Sequence, residues 1–214
     1  MEEIPLGLIG QVASEIASKT PSNRRLVVAL AGPPATGKTT FSDRLSRELN
    51  LQREISSVVV PMDGFHLDNT QLARLHLLDR KGCPESFDVW GFALLLSRLR
   101  NESDPIYFPT FDRKLDRSVA GAGVVLKVHN VILVEGNYLL LDEEPWSGLS
   151  QLFDYTIYLD TPFETLKERL VRRWLCHDHT AEQAESRALT NDIPNAERVC
   201  KYSRSADRVL RITI

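Results

Sequence analysis

Apolar residues along the chain fall into two kinds of stretch. Short, largely apolar runs are Arg25 to Ala31, Ile55 to Pro61 with Val58, Val59 and Val60 in it, Val131 to Gly136 and Tyr155 to Asp160, and the more polar Ala206 to Ile212 is read as the last strand. Runs of this length and composition predict strands buried on both faces. Between them the apolar positions recur at three and four. Ile9, Val12 and Ile16 predict an amphipathic helix over 5–19, broken by Thr20-Pro21-Ser22-Asn23 and expected to cover one edge of a sheet. Phe41, Leu45 and Leu49 predict a second helix, and Phe92, Leu95, Leu96 and Leu99 another, capped by Asp88. Thr161-Pro162 opens a helix that ends in Arg169, Arg172 and Arg173. Thr180 and Gln183 form a capping box for a helix reaching Leu189. Shorter helices are expected over Gln71 to Leu78 and around Val199.

Strands that alternate with helices predict the α/β class, with five core strands in a mainly parallel sheet covered on both faces. Several stretches break this rhythm. Asp79 to Phe87 is a polar, broken loop. Ile106-Tyr107-Phe108-Pro109 is a short strand or extended arm, Gly121 and Gly123 mark a turn, and Val124 to Val128 is a strand that pairs locally. Asn191 to Asn195 is a polar break. No repeat or linker divides the 214 residues, so 1–214 is expected to form one domain, with room for a small insertion.

Composition narrows the function. The apolar fraction of 43% and charged fraction of 26% are those of a globular protein, and the net charge of −3 argues against a general nucleic-acid binder. No apolar run approaches a membrane span. Cys83, Cys176 and Cys200 lack metal-ligand spacing and suit a reducing compartment. The acidic Met1-Glu2-Glu3 is unlike a signal peptide, so a cytoplasmic location is expected.

The chemistry centres on Gly32-Pro33-Pro34-Ala35-Thr36-Gly37-Lys38-Thr39, the G-x-x-x-x-G-K-T phosphate loop, set between a strand and a helix. Its glycines let the backbone approach a phosphate chain, and the helix N-terminus aims N–H groups at it. Lys38 supplies a charge to the outer phosphates and Thr39 a hydroxyl to Mg²⁺, with Thr40 next to it. Two acids end strands: Asp63, in Met62-Asp63-Gly64-Phe65-His66, and Glu135, after Val131-Ile132-Leu133-Val134. Both lie where ligands bind in such sheets, although Asp63-Gly64 is also an ordinary turn pair. Arg169, Arg172 and Arg173 repel one another unless an anion sits nearby, so phosphate contact is weighed against a solvated face. Cys176-His177-Asp178-His179 resembles a metal cluster only superficially. A switch GTPase would need Asn-Lys-x-Asp, which is absent, and Asp79-x-x-Gly82 and Asp88-x-x-Gly91 do not follow apolar strands. No signature of a motor or transporter ATPase is present.

Taken together, Gly32 to Thr39, Pro61 to Phe65, Arg80 to Asp88, Phe108-Pro109-Thr110-Phe111-Asp112-Arg113 and Val134 to Tyr138 resemble the phosphoribulokinase, uridine kinase and pantothenate kinase family, over nearly the whole chain. Within it the chain looks most like small bacterial proteins labelled fructose transport system kinases. The resemblance implies a P-loop three-layer fold with strand order 2-3-1-4-5 and an arginine-bearing lid at about 169–190. It implies transfer of the γ-phosphate of ATP, with Mg²⁺, to a hydroxyl of a small metabolite, and no nucleic acid or membrane partner; a homodimer stays open. By the same resemblance Asp63, Lys38 and Arg173 are the catalytic set. Gly32 to Thr40 and Arg169 take the nucleotide. Asp63, Phe65, His66, Arg113, Glu135 and Tyr138 face the acceptor, and Thr39 and Glu135 hold the metal. Phe111-Asp112-Arg113 stands where uridine kinases usually carry Tyr-Asp, which argues against a nucleoside acceptor.

Overall fold

A computed structural model describes residues 5–102, 104–175 and 180–212. Five parallel strands form the central sheet: β1 (Leu26–Ala31), β2 (Ser57–Pro61), β5 (Val131–Gly136), β6 (Tyr155–Asp160) and β7 (Arg208–Arg211), in the order β2-β5-β1-β6-β7. Counting core strands alone, that is 2-3-1-4-5, as the resemblance implies. A separate antiparallel hairpin, β3 (Ile106–Asp112) with β4 (Arg117–Val125), is inserted before β5.

The continuous apolar runs have a simple cause: successive side chains enter opposite cores. Val27, Ala29 and Ala31 of β1 and Ile132 and Val134 of β5 face one cluster, which α4 (Val89–Asn101) completes with Phe92, Leu95, Leu96 and Leu99. Leu26, Val28 and Leu30 with Val131 and Leu133 face the other, covered by α1 (Leu6–Lys19) and α2 (Lys38–Asn50). The α1 helix therefore covers a face where an edge was expected. Near the β7 edge its Glu15 accepts hydrogen bonds from Tyr155 and Arg208.

The irregular stretches depart most from expectation. The helix expected over 71–78 is the shorter α3 (Asn69–Arg74), capped by Asp68. Gly121 and Gly123 lie inside β4 and mark no turn; the turn is at 113–116. Gly121, left-handed at φ +66, sits where the register of the hairpin shifts, and the ring of Phe108 lies so close to Gly123 that a Cβ would stand 2.2 Å from it. The polar break at 191–195 is helical too. After α5 (Phe163–Leu175) and α6 (Ala181–Arg187), a π-helical turn, Ala188–Asp192, runs directly into α7 (Ile193–Tyr202). The Thr180–Gln183 capping box is formed, each backbone N–H donating to the other's side chain at 3.1 and 3.3 Å. No helix among the described residues is long and apolar enough to cross a membrane.

Arg25, at the mouth of β1, ties three connections together. Its guanidinium donates to the carbonyls of Leu99 and Glu102 at the end of α4, at 3.1 and 2.7 Å, and to Leu126 and His129 ahead of β5, at 3.3 and 3.2 Å. A cation at a helix C-terminus is also favoured by the dipole. Arg25→Ala leaves these carbonyls short of a donor in a buried setting. It is expected to cost about 2–4 kcal/mol in urea unfolding without moving the functional site, and Lys, lacking the fork, should recover only part of that.

Candidate active site

The phosphate loop links β1 to α2. Gly32 takes φ +150, and a Cβ there would stand 2.6 Å from the carbonyl oxygen of Leu159 in β6, so only glycine lets the chain leave β1 so close to its neighbour. Gly37, at φ +87, turns the chain into α2. The first N–H groups of that helix have no intrahelical acceptor and point into the loop's concavity. Thr36 and Lys38 fold inward, the hydroxyl 3.0 Å and the ammonium 2.8 Å from the carbonyl oxygen of Pro33. Lys38 is buried, and desolvation pulls it down to about 8 against the opposing charges of Glu135 and Asp63; Arg173 acts with desolvation. Thr39 and Thr40 open α2 and are exposed.

In-register pairing sets the acids. Pro61 of β2 lies opposite Glu135 of β5, so the one-turn helix Met62–Phe65 carries Asp63 to the same end of the sheet. Glu135 is buried, and its Oε1 lies 3.4 Å from the Thr39 hydroxyl. Burial, then the charge of Asp63, lifts its carboxyl to about 7, against Lys38 and the Thr39 hydrogen bond. Gly64 lets the hairpin cross here: a Cβ on it would meet the Pro109 carbonyl oxygen at 2.0 Å. The crossing brings Arg113 Nη2 to 3.3 Å from Asp63 Oδ2. His66 donates from Nδ1 to the Asp63 carbonyl at 2.8 Å, and its ring packs 4.0 Å from Phe87 and 4.8 Å from Phe111. Burial holds its pKa below the ordinary value, with Asp63 opposing.

On the loop's other flank lies α5. Arg169 donates to the carbonyl of Ala35 at 3.3 Å, and Arg173, one turn further, is exposed and acts electrostatically on Lys38. Arg172 is exposed. Ala35, at φ +66, packs against a small cluster of Leu170, Ala188, Ile193 and Ala196, which seats α5 and the π-helical turn on the phosphate loop.

Contacts thus link the loop from Gly32 to Lys38 with Thr39, Asp63, Glu135, Arg113, His66, Arg169 and Arg173 at the C-terminal end of the sheet. Two expected acceptor contacts are not brought there. Tyr138 is fully buried among Phe87 and Trp146, with its hydroxyl donating to the carbonyl of Gly82, so it braces the 80s loop. Phe65 turns its ring onto Phe92 of α4. Asp88 is taken by α4, accepting from Gly91 N at 2.9 Å, and Asp79 sits in a one-turn helix; neither serves the phosphate loop as a switch acid would. Cys176 to His179 lie outside the described residues, and no group of three or more His, Cys, Asp or Glu side chains placed to hold a metal is found among those described. One residue near the site went unsingled in the sequence. Lys81, read as part of a polar loop, reaches Asn69 and Asp116; its signal was three charges followed by glycine, Asp79-Arg80-Lys81-Gly82.

The donors fit a magnesium nucleotide. A hydroxyl and a carboxylate side by side, Thr39 and Glu135, are the hard oxygen ligands Mg²⁺ takes, and the ammonium-lined loop suits a phosphate chain.

The chain is similar to known proteins over most of its length. The AAA domain family matches residues 28–189. The protein YggC of Escherichia coli (strain K12) is 38% identical over 196 residues, 89% of this chain and 79% of its own length. A provisionally named uridine kinase of Schizosaccharomyces pombe is 32% identical over 197 residues, 88% of this chain and 83% of its own. Among solved structures, a protein from Silicibacter sp. TM1040, provisionally named a fructose transport system kinase, superposes with a TM-score of 0.90 at 38% identity, covering 94% of this chain and 98% of that one.

The buried acid sets a pH signature. A carboxyl whose folded pKa is raised from 4.5 to about 7 removes stability as pH climbs between those values, because the unfolded chain releases its proton first. Glu135→Gln, which mimics the protonated acid, should therefore melt higher than the nucleotide-free wild type. The gap should widen from pH 5 to pH 7.5. Thermal melts at the two pH values check this; a gap that is constant or narrows contradicts it.

Proposed function

We propose a reaction from one premise: this chain belongs to the phosphoribulokinase, uridine kinase and pantothenate kinase family of P-loop kinases, and is a phosphotransferase with an alcohol group as acceptor. The reaction is transfer of the γ-phosphate of Mg·ATP to a hydroxyl of a small metabolite, a sugar such as fructose. One observation carries the assignment of roles: Asp63, Glu135 and Lys38 converge at the C-terminal ends of neighbouring parallel strands, with Arg113 of the hairpin against Asp63.

ATP supplies the phosphoryl group, and Mg²⁺ neutralises charge on it; Thr39 and Glu135 are the residues that would hold the metal. Lys38 leaves the Pro33 carbonyl for the outer phosphates, exchanging one acceptor for a stronger, charged one. Asp63 orients the acceptor hydroxyl and takes its proton. Arg173, exposed on α5, offsets charge developing on the transferring group, while Arg169 holds that helix to the loop. In this reading α5 and α6 form the lid, about 169–190, of one kinase domain spanning 1–214. The enzyme works in the cytoplasm, where ATP is abundant, on a free small molecule, with neither nucleic acid nor membrane.

The sugar reading draws on two supports. The Silicibacter protein, similar over nearly its whole length, carries fructose in its name. The surroundings of Asp63 also suit a hydroxyl-rich ring: a carboxylate and a guanidinium for hydroxyls, and the flat rings of His66 and Phe111 beside them.

Asp63→Asn should fold normally, bind Mg·ATP within a few-fold of the wild type, and lose about 10²–10⁴ in turnover, the range for a general base. Retained turnover would make Asp63 a turn residue. Lost nucleotide binding that extra Mg²⁺ restores would make it a metal ligand. The acceptor itself is tested by ADP release over a panel of sugars, polyols, hydroxy acids and nucleosides. The sugars, fructose among them, are expected to raise ADP release well above the acceptor-free rate, and a response confined to nucleosides or hydroxy acids would refute the sugar assignment.

A further inference from the structure

Lys81 stands between the two halves of the site and bonds to both. Its ammonium has three N–H groups, and three acceptors surround it: Asn69 Oδ1 at 2.7 Å, the main-chain oxygen of Asp116 at 2.6 Å, and Asp116 Oδ2 at 2.9 Å. Asp116 closes the β3–β4 turn, three residues after Arg113, in a left-handed conformation at φ 51. The Lys81 ammonium also lies 5.0 Å over the ring of Phe111. Its side chain is only 15% exposed, while that of Asp116 is 59% exposed. From the other side, the backbone carbonyl of Lys81 accepts a hydrogen bond from Asn191 Nδ2 at 2.8 Å.

Asn191 belongs to the π-helical turn, a geometry that often marks functional positions in helices. Its own oxygen accepts from Asn195 at 3.2 Å, which fixes the direction of the amide. The next residue, Asp192, accepts from the indole of Trp174 at 2.7 Å. Trp174 follows Arg173 on α5, and Arg187 stacks over its ring at 5.1 Å. A path of hydrogen bonds and adjacent residues therefore runs from Arg173 and its neighbour Trp174 through Asp192 and its neighbour Asn191 to Lys81 and Asp116, in the hairpin that carries Arg113 to Asp63.

We propose that Lys81 is a positioning residue that ties the placement of the arginine-bearing helix α5 to the placement of Arg113 over Asp63. The inference rests on the kinase reading above. One residue orders both sides, so ordering either side lowers the cost of ordering the other. Nucleotide that fixes α5 against the phosphate loop then also steadies the hairpin before an acceptor arrives.

The test is hydrogen exchange by mass spectrometry on the full chain, with and without Mg·AMP-PNP, for the wild type, Lys81→Met, Lys81→Arg and Asn191→Ala. Nucleotide is expected to slow exchange in the wild type both at 163–175 and at 106–117. In Lys81→Met and Asn191→Ala the slowing at 163–175 persists, while the slowing at 106–117 falls at least threefold; Lys81→Arg restores most of it. A purely structural Lys81 would speed exchange equally with and without nucleotide and leave the nucleotide-dependent difference unchanged, which overturns the proposal. A wild-type hairpin that ignores nucleotide while α5 responds overturns it as well. No response anywhere in the wild type defeats the kinase reading and this inference with it. If Lys81→Met fails to fold by circular dichroism, Asn191→Ala, which leaves the ammonium and its three partners in place, decides.

Discussion

Two ionisable side chains, Lys38 and Glu135, are buried at the C-terminal end of the sheet, beside a third, Asp63, that is partly exposed. Lys38, Glu135 and Asp63 each shift the ionisation of another member of the group, and desolvation is the largest effect on both Lys38 and Glu135. Such a cluster costs several kcal/mol per buried ion unless partners complete it. The protein completes it only in part. Lys38 borrows a loop carbonyl, and Glu135 finds one hydroxyl at 3.4 Å. In the proposed reaction a polyphosphate and a divalent cation would supply further partners to both groups. Almost every other feature of the fold holds these groups in place. Parallel register sets Glu135 beside Asp63, and the close approach of β6 fixes the loop at Gly32. The apolar runs on either side of the sheet make that end rigid enough to hold charge in a dry place.

The frame of this arrangement was legible in the sequence because each part has a local cause. Strands buried on both faces must be apolar at every position, and helices on a sheet must be apolar at three and four. A phosphate loop needs its two glycines and lysine wherever it occurs. Asp63 and Glu135 could be picked out because an acid directly after an apolar strand has few structural reasons to be there. What escaped was non-local. Gly121 and Gly123 look like a turn until Phe108, on the opposite strand, is seen lying against Gly123. The run from Asn191 to Asn195 looks like a break because its polar residues find their partners across the molecule, in Lys81 and Trp174, where a sequence cannot show them. Tyr138 follows a catalytic-looking Glu-Gly pair, yet its direction was settled by packing against Trp146, not by its neighbours in the chain.

The contacts around Asp63 and the hairpin differ in strength in a way that suits the base role proposed for Asp63. Lys81 is almost enclosed and spends every donor on the hairpin turn and α3, so its contacts define position. Arg113 is 60% exposed, and its pair with Asp63 is long, at 3.3 Å. Exposed pairs of this kind contribute about 0–1 kcal/mol, so this one opens at little cost. In the proposed reaction an arriving hydroxyl would therefore have to displace only this weak pair from Asp63, leaving the hairpin's contacts to Lys81 in place. Had the tight contact been Arg113 to Asp63 and the loose one Lys81 to Asp116, the acid would be blocked and the hairpin free to drift. The observed distribution leaves Asp63 held only by a weak, exposed pair beside a hairpin turn that Lys81 anchors.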